Sequence, residues 1–187
     1  MDDQQAVARL RRGDMKGLTA LIQCYQVRAV RTAYLITQDA ALAEDVVQDA
    51  FIQLYRSIHS FDVSRPFAPW FMRIVVNAAI KASRASSKTV SLNLIDDETD
   101  ADDYAFPIPE AADSVELAQT EAVIWQALAA LSAEQRAVIV LKFYLALSEQ
   151  EMADQLTIPV GTVKSRLHHA KRQLHHLLAD RMKQGEI

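Results

Sequence analysis

The chain has 187 residues, half of them apolar, with only four Gly and five Pro, so it can bury one or two helical cores and is unlike a glycine-rich scaffold. Its formal net charge of −4 argues against a uniformly basic nucleic-acid binder, and a single cysteine, Cys24, excludes an internal disulfide. The longest apolar run, 137–147, is broken by Lys142 and too short for a bilayer, and the polar start MDDQQ lacks the marks of a signal peptide. A cytoplasmic protein without membrane contact is expected, with Cys24 packed in a core.

The charge is unevenly placed. Residues 1–86 carry 11 Lys+Arg against 8 Asp+Glu, residues 87–122 carry 1 against 10, and residues 123–187 carry 8 against 6. Two mildly basic bodies thus flank one acidic stretch, and attraction to phosphate follows the local patch rather than the total.

Taken in order, residues 3–12 form a short helix with Val7 and Leu10 inward, broken at Gly13, with Asp14 placed to cap the next helix. That helix carries Leu18, Leu21, Ile22, Tyr25 and Ala29 at helical spacing to about Ile36. Arg28 and Arg31 are exposed candidates on it, facing water by default. Asp39 caps a third helix to about Ile58, with Val47, Ala50, Phe51, Leu54 and Ile58 as its buried stripe. A second stripe, Asp45, Gln48, Asp49, Ile52 and Arg56, lies on another side. An aliphatic centred among acids and an amide has the make-up of a protein-binding face, although a plain surface face has the same pattern.

A loop, 59–68, contains Phe61, Arg65, Pro66 and Phe67. The helix after it, 69–85, points Trp70, Phe71, Ile74, Val75 and Ala78 inward and sets Arg73, Asn77, Lys81 and Arg84 along one outer face. Cations that follow phosphates beside aromatics that stack on bases suit unpaired nucleic acid. For Phe67 and Trp70 the alternative is a place in the core.

Residues 87–112 are a linker, with an acidic run at Asp96, Asp97, Glu98, Asp100, Asp102 and Asp103. Within it Val90, Leu92 and Leu94 alternate as in an extended segment. The second body, 113–187, starts near Asp113 with Glu116 completing a capping box, and sets Leu117, Ile124, Ala127, Leu128 and Leu131 in one stripe. Ser132 and Gln135 form a further box, ahead of Val138, Leu141 and Leu145.

The stretch 147–178 is two helices joined by a tight turn. Ser148 and Glu151 make a capping box, Met152, Ala153 and Leu156 are apolar, Thr157-Ile158 turn, and Pro159 starts the second helix. A β-branched Thr157 stands where Gly is expected and is strained at positive φ. Val163, Leu167, Ala170, Leu174 and Leu177 form the buried stripe of the second helix. Thr162, Lys164, Ser165, Arg166, His168, His169, Lys171 and Arg172 remain outside, with no carboxylate before Asp180. This is the layout of a helix-turn-helix whose second helix enters a major groove.

The segments AEDVVQDAFIQLYRSI (43–58), PWFMRIVVNAAI (69–80) and LSEQEMADQLTIPVGTVKSRLHHAKRQL (147–174), in this order, resemble the extracytoplasmic-function (ECF) group of bacterial RNA polymerase sigma factors. The resemblance implies an all-α fold of two small helical domains joined by a flexible acidic linker, the second ending in a helix-turn-helix. It also implies a sigma factor that binds core RNA polymerase and directs it to promoters. Domain 1–86 would be the region 2-like part, docking polymerase through Asp45, Gln48, Asp49 and Ile52. Its Phe61, Phe67, Trp70, Arg73, Asn77, Lys81 and Arg84 would open and hold the single-stranded −10 element.

Domain 113–187 would be the region 4-like part, reading the double-stranded −35 element. There Lys164, Ser165, His168 and His169 would face base edges, while Thr162, Arg166, Lys171 and Arg172 hold phosphates. The linker would thread toward the polymerase active-site cleft, and an anti-sigma factor would hide these surfaces. His169 stands where Arg is common, and neutral imidazole lacks the guanidinium fork. No enzymatic activity, metal or cofactor is expected. His168, His169, His175 and His176 pair on one face only seven residues apart, roughly 10 Å along the axis, too far to share an ion. The alternative function is a helix-turn-helix regulator of duplex DNA that does not dock on polymerase.

Overall fold

The computed structural model describes residues 2–92 and 115–183, with side chains described over 2–86 and 122–179. No strand occurs among the described residues. The chain divides into two compact units, one of Met1–Ser87 with Asp154–Thr157, the other holding the remaining helices after residue 114. The acidic run 96–103, Leu94 and the Asp113 cap lie outside the described residues.

The first unit holds α1 (Asp3–Arg11), α2 (Lys16–Thr37), α3 (Ala40–Ser57), a 3-10 turn (Ile58–Ser60) and α4 (Phe67–Leu92). Val7 and Leu10 of α1 are buried as expected. Asp14 receives the Lys16 N–H at 3.0 Å, but Met15 is the residue at the helix boundary, so the carboxylate sits one position earlier than a regular cap. Gly17 is buried where α2 crosses α1. A Cβ there would run into the α1 backbone at Ala6 and Leu10, so only glycine permits the approach.

On α2, Leu21, Tyr25 and Ala29 are buried while Leu18 and Ile22 are half-buried. Cys24 is exposed, against expectation, because it falls beside that stripe rather than on it. Asp39 caps α3, its carboxylate accepting the Leu42 N–H at 2.9 Å. Val47, Ala50, Phe51, Leu54 and Ile58 are all buried.

Two expectations for α4 are corrected. The helix runs on to Leu92, so Val90 and Leu92 are helical and not extended. Its buried face is Phe67, Phe71, Met72, Val75, Val76, Ala79 and Ser83, leaving Trp70, Ile74 and Ala78 half-buried at the margin. The aromatic rings set this register. Phe71 lies 4.8 Å from Phe51 and 5.8 Å from Tyr25, centroid to centroid, and draws its own side of the helix inward.

The second unit holds α5 (Val115–Ala129), α6 (Ala133–Ile139), a π-helical turn (Val140–Tyr144), α7 (Glu149–Leu156) and α8 (Val160–Lys183). Helix α8 packs on both α5 and α6. Val123, Ala127, Leu128 and Leu131 are buried, whereas Ile124 is exposed, so the α5 stripe passes through Val123 instead. The Ser132–Gln135 box is complete in both directions, and Val138, Leu141 and Leu145 are buried. Arg136 is buried too. Its guanidinium donates to the Leu131 carbonyl at 2.7 Å, while loss of water pushes its pKa down. Among the described residues no helix is long and apolar enough to cross a membrane.

Candidate nucleic-acid and protein interfaces

Three faces carry the residues that the sequence singles out. On α3, Asp45, Gln48, Asp49, Ile52 and Arg56 are all exposed, and 47% of Ile52 is open to water. Tyr55, missed in the sequence, is 48% exposed on the same side, one turn beyond Ile52. The spacing from Ile52 was the available signal. A large apolar pair inside a ring of acids and one amide lacks a packing reason within its own unit.

On α4, Arg73, Asn77, Lys81 and Arg84 are exposed along one face, and α4 contains no carboxylate. The helix itself therefore sets no negative charge beside them. The aromatic residues behave differently from the expectation. Phe61 and Phe67 are each only 4% exposed. Phe61 lies 5.7 Å from Phe67 edge-on and 4.8 Å from Trp70, and Phe67 lies 5.4 Å from Tyr25. Both rings are core anchors at the two ends of the loop, since a ring left in water would forfeit about 2 kcal/mol of burial.

Trp70 is half-buried. What the loop shows to solvent is Val63, Ser64, Arg65 and Pro66. Asp62 organises them: its Oδ1 accepts from the Ser64 amide at 3.0 Å and hydroxyl at 2.7 Å, which holds the carboxyl below its usual range.

On α8, Val163, Leu167 and Ala170 are buried, and Leu174 and Leu177 half-buried. Lys164, Ser165, His168, His169, Lys171 and Arg172 are exposed, with Thr162 and Arg166 half-buried beside them. The turn before this helix forms as expected. Thr157 has φ +56°, Ile158 donates to the Ala153 carbonyl at 3.1 Å, and Pro159 accepts from Thr162 at 2.9 Å. Pro159 thus sits at the cap position, with Val160 the first helical residue.

Ser148 and Glu151 close the α7 box, the Glu151 carboxylate accepting from the Ser148 hydroxyl at 2.6 Å and amide at 2.8 Å. Two cations of the outer face already have partners. Lys164 pairs with Glu149 at 3.7 Å, and Lys171 lies 5.3 Å over the Phe143 ring. Both contacts are exposed and weak, at ~1 kcal/mol or less, so either cation can exchange its partner for a phosphate. Among the described residues no group of three or more His, Cys, Asp or Glu side chains could hold a metal ion.

A helix-turn-helix and, in a separate helical unit, a carboxylate-free cationic helix fit the class of two-module DNA-directed proteins. Comparisons with known proteins narrow this. The Sigma-70 region 2 family matches residues 21–89 and the Sigma-70, region 4 family matches residues 121–174. The ECF RNA polymerase sigma factor SigW of Bacillus subtilis is 31% identical over 185 residues, 95% of this chain and 97% of that protein. SigL of Mycobacterium tuberculosis is 36% identical over 151 residues, covering 80% and 82%.

Among solved structures, the sigma factor RpoE in complex with the anti-sigma factor NepR from Bartonella quintana has a TM-score of 0.67 at 24% identity, covering 88% of this chain and 98% of that one. CnrH, in complex with the cytosolic domain of CnrY, has a TM-score of 0.64 at 23% identity, covering 95% and 97%. These two share the fold. The chain belongs to the ECF sigma factors of RNA polymerase, and its function is transcription initiation with core polymerase at promoter DNA.

Proposed function

We propose that the three faces divide the work of initiation. The α3 face, Asp45, Gln48, Asp49 and Ile52 with Tyr55, docks on core polymerase. Its apolar centre supplies contact area and its acids select a basic partner surface. The α4 stripe, Arg73, Asn77, Lys81 and Arg84, follows the phosphates of the unpaired −10 strand, while the exposed part of Trp70 offers a surface for one base. Phe61 and Phe67 support that surface from within. The α8 face reads the −35 duplex: Lys164, Ser165, His168 and His169 toward base edges, Thr162, Arg166, Lys171 and Arg172 toward phosphates.

The observation that carries this reading is a long α4 whose exposed side bears three cations and no acid. Duplex binding by the helix-turn-helix does not require such a helix in a separate unit; holding an opened strand does. A protein inhibitor of the anti-sigma kind, such as the NepR bound to the similar RpoE, would act by covering the same faces. The place of action is the cytoplasm, where polymerase and promoter meet.

Run-off transcription with purified core polymerase tests the reading. The complete chain is expected to confer initiation at a defined promoter that core enzyme alone ignores. Protection of a palindromic duplex by a dimer of this chain, without polymerase, would instead establish the regulator reading.

A further inference from the structure

Arg11, the last residue of α1, lies outside all three faces, yet it makes polar contacts with residues 47 to 50 positions away. Its Nε donates to the Ile58 carbonyl at 3.1 Å, and its Nη2 donates to the carbonyls of His59 at 2.8 Å and Phe61 at 2.7 Å. These acceptors belong to the 3-10 turn that ends α3 and to the first residue of the loop. Carbonyls at a helix end carry the negative end of the dipole and often lack intrahelical partners; the Ile58 carbonyl also receives the Phe61 N–H at 3.3 Å. One guanidinium satisfies three of them because its donors form a rigid fork, which the single ammonium of lysine cannot reproduce.

The packing around the loop makes this contact matter. A cleft of about 860 Å³ opens between α1 and the loop, with Val7, Arg11, Phe61, Arg65 and Phe67 in its lining. The exposed middle of the loop, Val63 to Pro66, is therefore held less by packing than its two buried ends, Phe61 and Phe67. Directional hydrogen bonds hold its entrance, and the Asp62 turn holds its tip. The Phe61 carbonyl that Arg11 grips belongs to the residue whose ring backs Trp70 at 4.8 Å.

We propose that Arg11 is a positioning residue for promoter opening: by clamping three carbonyls it fixes the loop and the Trp70 platform in the geometry that receives the unpaired −10 strand. This rests on the assignment of α4 to that strand. Arg11 touches no nucleic acid itself. It acts through Phe61, Phe67 and Trp70, and it makes α1 part of the opening machinery.

The test uses the full chain in holoenzyme, with Arg11→Met, which keeps length without donors, and Arg11→Lys. Opening is read by 2-aminopurine fluorescence within the −10 element, and initiation by run-off on a duplex promoter and on one with a premelted −10 bubble. Loss of charge-assisted bonds predicts a fall in duplex opening of roughly tenfold for Arg11→Met, with Arg11→Lys between it and the parent. Affinity for core polymerase should stay within about twofold, and the premelted template should recover most of the initiation, since the cost of unpairing is removed.

Duplex opening within about twofold of the parent by a folded Arg11→Met chain would overturn the proposal. So would a parallel loss of core binding and opening, which would make Arg11 a general support of the fold. Failure of the parent chain itself to initiate would instead strike the assignment of α4 beneath it.

Discussion

Phe67 opens α4 with its ring 96% inside the protein, among Tyr25, Phe61, Trp70 and Phe71. Its truncation removes a core anchor, so Phe67→Ala should cost ~3–5 kcal/mol of stability, visible as a lower melting temperature before any DNA is added. A variant that melts normally but fails only in strand binding would show the ring to be a direct contact. Thr157 presents the opposite case. At φ +56° its branched side chain crowds the backbone. Thr157→Gly removes that clash against a larger entropy loss, and a net gain of ~0.5–1 kcal/mol in denaturant unfolding is expected. Unchanged stability would mean that the turn tolerates the branched residue without strain.

At the scale of elements, caps fix where helices start and how they respond to acid. The Ser148 hydroxyl and amide both donate to Glu151, which draws that carboxyl below its usual pKa. A carboxyl held lower in the folded chain contributes stability above its unfolded pKa, about 4.3, and loses it as pH falls through the folded value. Comparing the parent chain with Glu151→Gln, the difference in melting temperature should be full near neutrality and shrink steadily below about pH 4. A difference independent of pH would remove the carboxylate from the account.

The α3 face makes a separate demand on its helix. Asp49 lies beside an exposed Ile52 and Tyr55, away from the buried stripe. Asp49→Arg should therefore weaken binding to core polymerase by roughly tenfold or more, through charge reversal at an interface, while thermal melting is unaltered. Equal losses in both would signify unfolding rather than lost docking.

For the whole molecule, the relevant fact is that the two exposed cationic faces, proposed above to take unpaired and paired DNA, sit on two separate units. One is a carboxylate-free α4 beside a half-buried tryptophan; the other is a helix-turn-helix. Neither is strongly basic, and the chain is acidic overall at −4. Each face, with only a few cations, pulls on phosphate modestly. On the proposed assignment, docking on polymerase would supply what the charge does not, a high local concentration of both faces at one promoter.

Helical periodicity and caps were enough to locate the helix-turn-helix, the α3 buried stripe, the Asp39 cap and the cationic side of α4. Each is set by side chains within one or two turns of one another. Even the positive φ at Thr157 was legible, because the turn leaves that position few conformations. Only the tertiary structure placed Phe61 and Phe67 inside, turned α4 onto its Phe71–Met72 side, left Cys24 and Ile124 outside, and carried Arg11 to carbonyls 47 to 50 residues away. Those outcomes depend on rings and donors that meet across helices, and a stripe of apolar residues cannot say which neighbour will fill the space beside it.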